Sequence, residues 1–153
     1  MAKFKGELSR TFTVAATKER AMEFMSDPEK FRHCLIGVEK AERLPDGTVK
    51  YQLEEKAEAG VRFKGAYSVK FVAQGDALTW TTVGQGGNMW SNGKASFRAV
   101  GASTEITYQE SLECDMDVNM LLGKVIAPIV NREIAKGVGG YLDRVKESLD
   151  KPA

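Results

Sequence analysis

The sequence predicts an α+β domain in which a seven-stranded, curved antiparallel sheet wraps round one long C-terminal helix, with two short helices after the first strand and an internal cavity. Three observations carry this reading. The first segment alternates apolar and polar residues, six more strand-like runs follow with only turn residues between them, and residues 119–149 repeat apolar residues at helical spacing. A chain of 153 residues, 42% hydrophobic and 28% charged, fits one domain over residues 1–150 with 151–153 as a frayed end. The same figures exclude a disordered tail, a collagen and an integral membrane protein.

The first strand is read from Phe4, Leu8, Phe12 and Val14, all at even positions with polar residues between them. At Thr17 the period changes. Thr17 is a helix cap, Glu19 suits a first turn, and Ala21, Met22, Phe24 and Met25 share one helical face. Asp27-Pro28 restarts the backbone as cap and first-turn residue, so a second short helix is expected to about His33.

From Val38 the sequence reads as strands: Val38 to Leu44, Thr48 to Ala59, Val61 to Ala73, Ala77 to Val83, Met89 to Val100 and Thr104 to Cys114. Their separators are Pro45-Asp46-Gly47, Gly60, Gln74-Gly75-Asp76, Gly84 to Asn88 and Gly101-Ala102-Ser103. Connections this short pair neighbours antiparallel, because a parallel pair needs a crossover of a dozen residues or more. The last helix, Asn119 to Leu149, is apolar along Ile126, Val130, Ile134, Val138, Tyr141 and Val145, with a kink or break expected at Pro128 and local weakening at Gly137, Gly139 and Gly140. A twisted sheet curling round one helix is not filled everywhere by that helix, so a space is expected between the two.

The order of elements, with Asp27-Pro28-Glu29 after the first helix, Leu35-Ile36-Gly37-Val38-Glu39 before the second strand and Phe63-Lys64-Gly65 further on, resembles the START-like, or SRPBCC, helix-grip superfamily over nearly the whole chain. Within it the sequence is most similar to the CoxG family of carbon monoxide dehydrogenase subunits and to the polyketide cyclase and lipid-transport group. The resemblance implies a deep cavity that binds an apolar or amphipathic molecule such as a lipid, a polyketide or a quinone-like compound. It also implies two alternatives: an enzyme of the polyketide cyclase or aromatase kind, and an accessory protein that recruits or matures a partner enzyme, a molybdenum hydroxylase. CoxG proteins often carry a tail beyond the last helix, and since this sequence stops at Ala153 the membrane-recruiting role is not expected of it.

Strand parity assigns the interior. The inward apolar set is Phe63, Tyr67, Phe71, Leu78, Trp80, Phe97, Ile106 and Tyr108, of which most are expected to fill the core and the rest to line a pocket. Ile126, Val130 and Ile134 are expected to face the sheet as the helical wall of that pocket. Three charged residues break the parity: Arg10, Glu55 and Glu110 fall on the apolar side of their strands. Burying an unpaired charge costs several kcal/mol, so these residues form internal ion pairs, reach the rim, or orient a polar part of a ligand. Candidate ligand-binding residues are therefore Arg10, Glu55, Phe63, Tyr67, Trp80, Phe97, Tyr108, Glu110, Ile126, Val130 and Ile134.

Other motifs carry less. His33 and Cys34 are adjacent, which rarely lets a base and a nucleophile face each other, and no third orienting group is indicated. The run Gly84 to Asn88 precedes a strand and not a helix, so it is a hairpin loop and not a phosphate cradle; Gly93-Lys94 lacks the glycine spacing of a nucleotide loop. Gly6, Gly65 and Gly93 are read as bulges that curl the sheet, and Trp90 falls on the solvent parity. Two cysteines make neither a disulfide framework nor a zinc site, and no catalytic residue, metal or cofactor is expected. A net charge of +1 argues against nucleic acid as partner. No apolar run suits a signal peptide or a membrane span, so a cytoplasmic location is expected.

Overall fold

The computed structural model describes residues 2–58, 60–84 and 87–152; Ala59 of the second expected run, Gln85 and Gly86 of the glycine loop, and Ala153 of the frayed end lie outside the described residues. Strand β1 (Ala2–Val14) keeps its alternation, with Phe4 and Val14 buried and Lys3, Lys5 and Glu7 exposed. Helix α1 (Lys18–Ser26) begins where the Thr17 hydroxyl accepts from the Arg20 amide at 3.2 Å. Asp27 likewise accepts from the Glu29 amide at 3.0 Å and starts α2 (Pro28–Phe31), which runs into a 3-10 turn at Arg32–Cys34.

The next two expected runs each divide. Thr48 to Ala59 becomes β3 (Val49–Leu53) and β4 (Lys56–Glu58), following β2 (Val38–Arg43), and Val61 to Ala73 becomes β5 (Val61–Phe63) and β6 (Ala66–Gln74). The divide in the second run is at Gly65, which is not a bulge within a strand. A Cβ there would run into Met89 Sδ and lie 2.9 Å from Leu53 Cδ1 and 3.2 Å from Phe63 Cε2, so a side chain at this bend would have to displace these three neighbours. Asn88 clamps the bend, accepting from the Ala66 amide at 2.8 Å and donating to the Lys64 carbonyl at 3.0 Å. The short pair β4–β5 thus leaves the main sheet as a separate two-stranded ribbon.

Three strands and a helix complete the chain: β7 (Ala77–Thr82), β8 (Met89–Val100), β9 (Ser103–Met116) and α3 (Met120–Asp150). The main sheet has seven antiparallel strands in the order β1-β9-β8-β7-β6-β3-β2, a meander with the first strand added beside the last. Asn119 caps α3 by accepting from the Leu122 amide at 2.8 Å. Of the kink or break expected at Pro128, the break does not occur: α3 runs without interruption across Pro128, which lies on the solvent side.

Two glycines fix where α3 lies. Gly6 on β1 faces Ile134, and Gly139 on α3 faces Leu8 and Arg10, so helix and strand meet with no Cβ between them on one partner each. Helix α3 therefore rests on β1, at one edge of the sheet. The core divides into a cluster under the C-terminal half of α3 (Val14, Leu78, Phe97, Ile106, Leu142, Val145), one under its N-terminal half (Phe4, Met89, Met116, Ile126) and one at the far edge of the sheet (Val38, Val49, Tyr51, Val69). Among the described residues no helix is long and apolar enough to cross a membrane.

Candidate functional site

Because α3 leans on β1, it stands away from the strands at the other edge of the curved sheet, and the three core clusters do not close over one another there. The space left is a cavity of about 530 Å³. Its walls come from β3 to β9, Met25 of α1, the segment Phe31 to Val38 and α3, and no residue of β1 reaches it. The most exposed lining residues are Ile36, Lys56, Ala57, Glu133 and Gly137, so the mouth lies between the Leu35–Gly37 link, the β4–β5 ribbon and the middle of α3.

Of the expected site residues, Phe63, Tyr67, Trp80, Tyr108, Glu110, Val130 and Ile134 line this cavity. Four lie elsewhere. Arg10 is on the inward parity of β1, but that strand lies under α3, and its guanidinium donates to the Gly139 carbonyl at 3.2 Å and pairs with Asp143 at 2.8 Å. Glu55 follows Leu53 across the β3–β4 divide, where strand parity no longer holds, and it is exposed and 3.6 Å from Arg62. Phe97 is buried at the end of β8 that α1 covers, and Ile126 is buried in the cluster with Phe4. The three parity-breaking charges are thus not brought together. Among the inward apolar set, Phe63, Tyr67, Phe71, Trp80 and Tyr108 line the cavity and Leu78, Phe97 and Ile106 fill the core, so more of the set faces the space than parity alone suggested.

The wall is mostly aromatic. The Trp80 indole lies flat on Gly93, its partner across β7–β8, where a Cβ would stand 2.5 Å from Cε2. Trp80 then packs at 5.2 Å on Tyr108 and at 6.0 Å on Phe71 with the rings tilted, while Phe31 meets Phe71 at 6.0 Å and Tyr141 at 5.9 Å, edge to face. Tyr51 and Tyr67 form a second pair at 5.1 Å. All four tyrosines of the chain, Tyr51, Tyr67, Tyr108 and Tyr141, line the same cavity.

One carboxyl group lies inside this wall. Tyr108 and Glu110 are two apart on β9 and share its inward face, so the Tyr108 hydroxyl reaches Glu110 Oε1 at 2.5 Å. From β8, the buried Ser91 hydroxyl donates to Oε2 at 2.8 Å. Burial raises the Glu110 pKa above its ordinary value, and the two hydroxyl donors oppose that rise. The four phenols are all raised, first by burial and with Glu110 adding to each. Among the described residues the hydroxyls of Tyr51, Tyr67 and Tyr141 have no hydrogen-bond partner, which leaves three phenol groups to meet whatever enters.

Several lining residues are absent from the set that parity selects. Tyr51 and Ser91 are on the inward side of their strands, and Ser91 breaks the apolar pattern just as Glu110 does, which is the signal the sequence offers. Tyr141 enters the sequence reading only as part of the helix face. Arg144, whose Nε donates to the Cys34 carbonyl at 2.6 Å, and Phe31 reach the cavity through tertiary packing alone.

His33 and Cys34 turn out to be neighbours in space: Cys34 Sγ is 3.6 Å from His33 Nε2, which is 2.8 Å from Ser148 Oγ. Cys34 is fully buried and burial raises its thiol pKa, which keeps it protonated and a poor nucleophile. Burial pushes the Cys114 thiol up to about 11. Trp90 lies on the outer face, where the Lys3 ammonium stands 5.4 Å from its ring. Among the described residues no group of three or more His, Cys, Asp and Glu side chains is placed to hold a metal ion.

The model of the CoxG family of carbon monoxide dehydrogenase subunits matches residues 11–140. No curated protein matches the sequence. A conserved protein from Geobacillus kaustophilus has the same fold at 16% identity and TM-score 0.69, with 95% of each chain covered. An aromatase/cyclase from Streptomyces sp. R1128 matches at 13% identity and TM-score 0.66, over 95% of this chain and 94% of that one. A START superfamily protein from Mycobacterium smegmatis matches at 19% identity and TM-score 0.55, over 91% of this chain and 98% of that one. The fold is therefore the START-like helix grip.

Proposed function

The chain belongs to the CoxG family of carbon monoxide dehydrogenase subunits, and on that premise we propose that it binds an apolar or amphipathic small molecule, a lipid, polyketide or quinone-like compound, in the cavity between sheet and α3. The observation that carries this reading is a space of about 530 Å³ with an aromatic and aliphatic wall and a single internal carboxyl group, the combination of apolar lining and few polar groups expected of a small-molecule site. The family name supports a setting beside a partner enzyme, to which such a protein would bring its ligand.

Titration with the neutral fluorophore N-phenyl-1-naphthylamine tests the reading, together with native mass spectrometry of the purified protein. Saturable fluorescence enhancement at about one probe per chain is expected. Protein that shows neither probe uptake nor co-purifying small-molecule mass would overturn it.

A second reading is an enzyme of the aromatase or cyclase kind, and Glu110 favours it. A carboxyl held by Tyr108 and Ser91, with its pKa raised by burial, is suited to hand a proton to or take one from a bound substrate. Turnover of a polyketide-like substrate that is lost in Glu110→Gln while binding persists would support this reading over simple carriage.

A further inference from the structure

We infer that the molecule held in this cavity carries a protonated amine, with Glu110 as its counter-ion, the rings of Trp80, Tyr108 and Tyr67 around it, and an apolar body extending towards the mouth. The inference rests on the binding reading above and narrows its ligand classes to an amphipathic, lipid-like amine; a quinone or polyketide without an amine falls outside it.

Charge balance is the first ground. Four charged residues line the cavity: Glu110, Lys56, Glu133 and Arg144. Lys56 and Glu133 are exposed at the mouth, and Arg144 is a half-buried guanidinium in the wall whose Nε donates to the Cys34 carbonyl; it keeps its charge but is not among the groups that act on Glu110. Glu110 forms no ion pair with any described Lys, Arg or His, and nothing cationic acts on it from the walls. An enclosed carboxylate without a counter-charge is costly, and such groups are paired in folded proteins. Here the missing charge has room to come from the ligand.

Hydrogen-bond accounting is the second. An ionised carboxylate offers about four acceptor positions, and Tyr108 and Ser91 fill one on each oxygen. Both are donors, an arrangement that favours the anion over the neutral acid. The positions left open on Oε1 and Oε2 call for further N–H or O–H donors.

The aromatic wall is the third. The negative faces of tryptophan and tyrosine rings attract a cation, most strongly where water is excluded. An anionic head would meet Glu110 as a like charge. A neutral carbonyl head would need Glu110 to hold its proton.

These three heads differ in their response to pH. The groups facing Glu110 are Tyr108 and Ser91 directly, the phenols of Tyr51, Tyr67 and Tyr141, and the Cys114 thiol, with Arg144 in the wall and Lys56 and Glu133 at the rim. The phenols are raised above their ordinary range and Cys114 to about 11, so Glu110, raised above its ordinary value by burial, is the internal group that titrates first as pH rises. A cation that needs the carboxylate binds more tightly as pH rises through the Glu110 pKa; a neutral acceptor that needs the proton binds less tightly.

Three probes on one ring system decide the matter: 2-(1-naphthyl)ethylamine, 2-(1-naphthyl)ethanol and 1-naphthaleneacetate, titrated calorimetrically into the protein and into Glu110→Gln at about pH 5 and 7.5. The amine is expected to bind about tenfold more tightly than the alcohol at the higher pH, with a smaller gap at the lower one. In Glu110→Gln the gap closes while alcohol affinity is retained. An alcohol or acetate that binds as well as the amine, or an amine advantage that survives Glu110→Gln, overturns the inference. If N-phenyl-1-naphthylamine enters but the amine has no advantage, the head group is wrong and the cavity reading stands. If none of these probes enters, both fall.

Discussion

A Cβ added to Gly6 would stand 2.5 Å from Ile134 Cβ, so β1 and α3 touch at a point where only the absence of a side chain makes room. That contact fixes the helix to one edge of the sheet, and the cavity is the consequence at the other. Gly6→Ala should therefore lower stability by about 1–3 kcal/mol through overpacking. Adding Ile134→Ala in the same chain should return part of that loss, because the two residues couple directly. Urea midpoints of the single and double variants measure this, and simple additivity would show that the contact is not the constraint described.

Val130 lines the cavity from α3, on the wall opposite the sheet. Val130→Trp should fill much of the space and abolish uptake of N-phenyl-1-naphthylamine while the chain still folds, since overpacking of ~1–3 kcal/mol is smaller than an ordinary folding reserve of ~5–15 kcal/mol. Circular dichroism reports the fold and fluorescence the uptake. A folded variant with unchanged probe affinity would place the binding site elsewhere.

The glycines of α3 should respond with opposite signs. Nothing lies within 4 Å of a Cβ added to Gly137, whereas one on Gly139 would meet the Arg10 guanidinium at 3.0 Å. Gly137→Ala should raise stability by up to about 1 kcal/mol through helix propensity alone. Gly139→Ala should gain less or lose, because Arg10 must shift from its bonds to Gly139 and Asp143. Hydrogen exchange tests whether the stretch opens: as a packing feature, amides from Gly139 to Tyr141 should be as protected as those from Val125 to Val130. Faster exchange there that slows with ligand would instead mark a hinge.

Glu110 makes stability depend on pH in a defined direction. Its pKa is raised in the folded chain from an ordinary value of 4.5, so the folded state keeps the proton after the unfolded state has lost it. The stability associated with the protonated form is present below about pH 4.5 and lost as pH rises through the folded value. Glu110→Gln should remove that decline, which urea unfolding between about pH 4.5 and 8 would show as a flatter profile. A decline of equal slope in the variant would assign it to other groups.

Strand parity was enough to turn Tyr67, Trp80, Tyr108 and Glu110 inward, because successive side chains of a strand point to opposite faces whatever the strand is paired with. Cap chemistry at Thr17 and Asp27 and glycine at the turns were likewise legible, being local interactions within a few residues. The divide between β5 and β6 was not: it depends on Gly65 meeting Met89, Leu53 and Phe63 and on Asn88 clamping the bend, contacts between segments separated in sequence. Parity does not say what covers a face. Arg10 and Glu110 both point inward, yet α3 lies on β1 and stands away from β3, β6 and β7, so one carboxyl became the interior of a cavity and one guanidinium a tie to the helix. The convergence of four tyrosines and Ser91 on that carboxyl was decided by the curl of the sheet and the lie of the helix, which follow from how side chains fill space together and not from any one stretch of the chain.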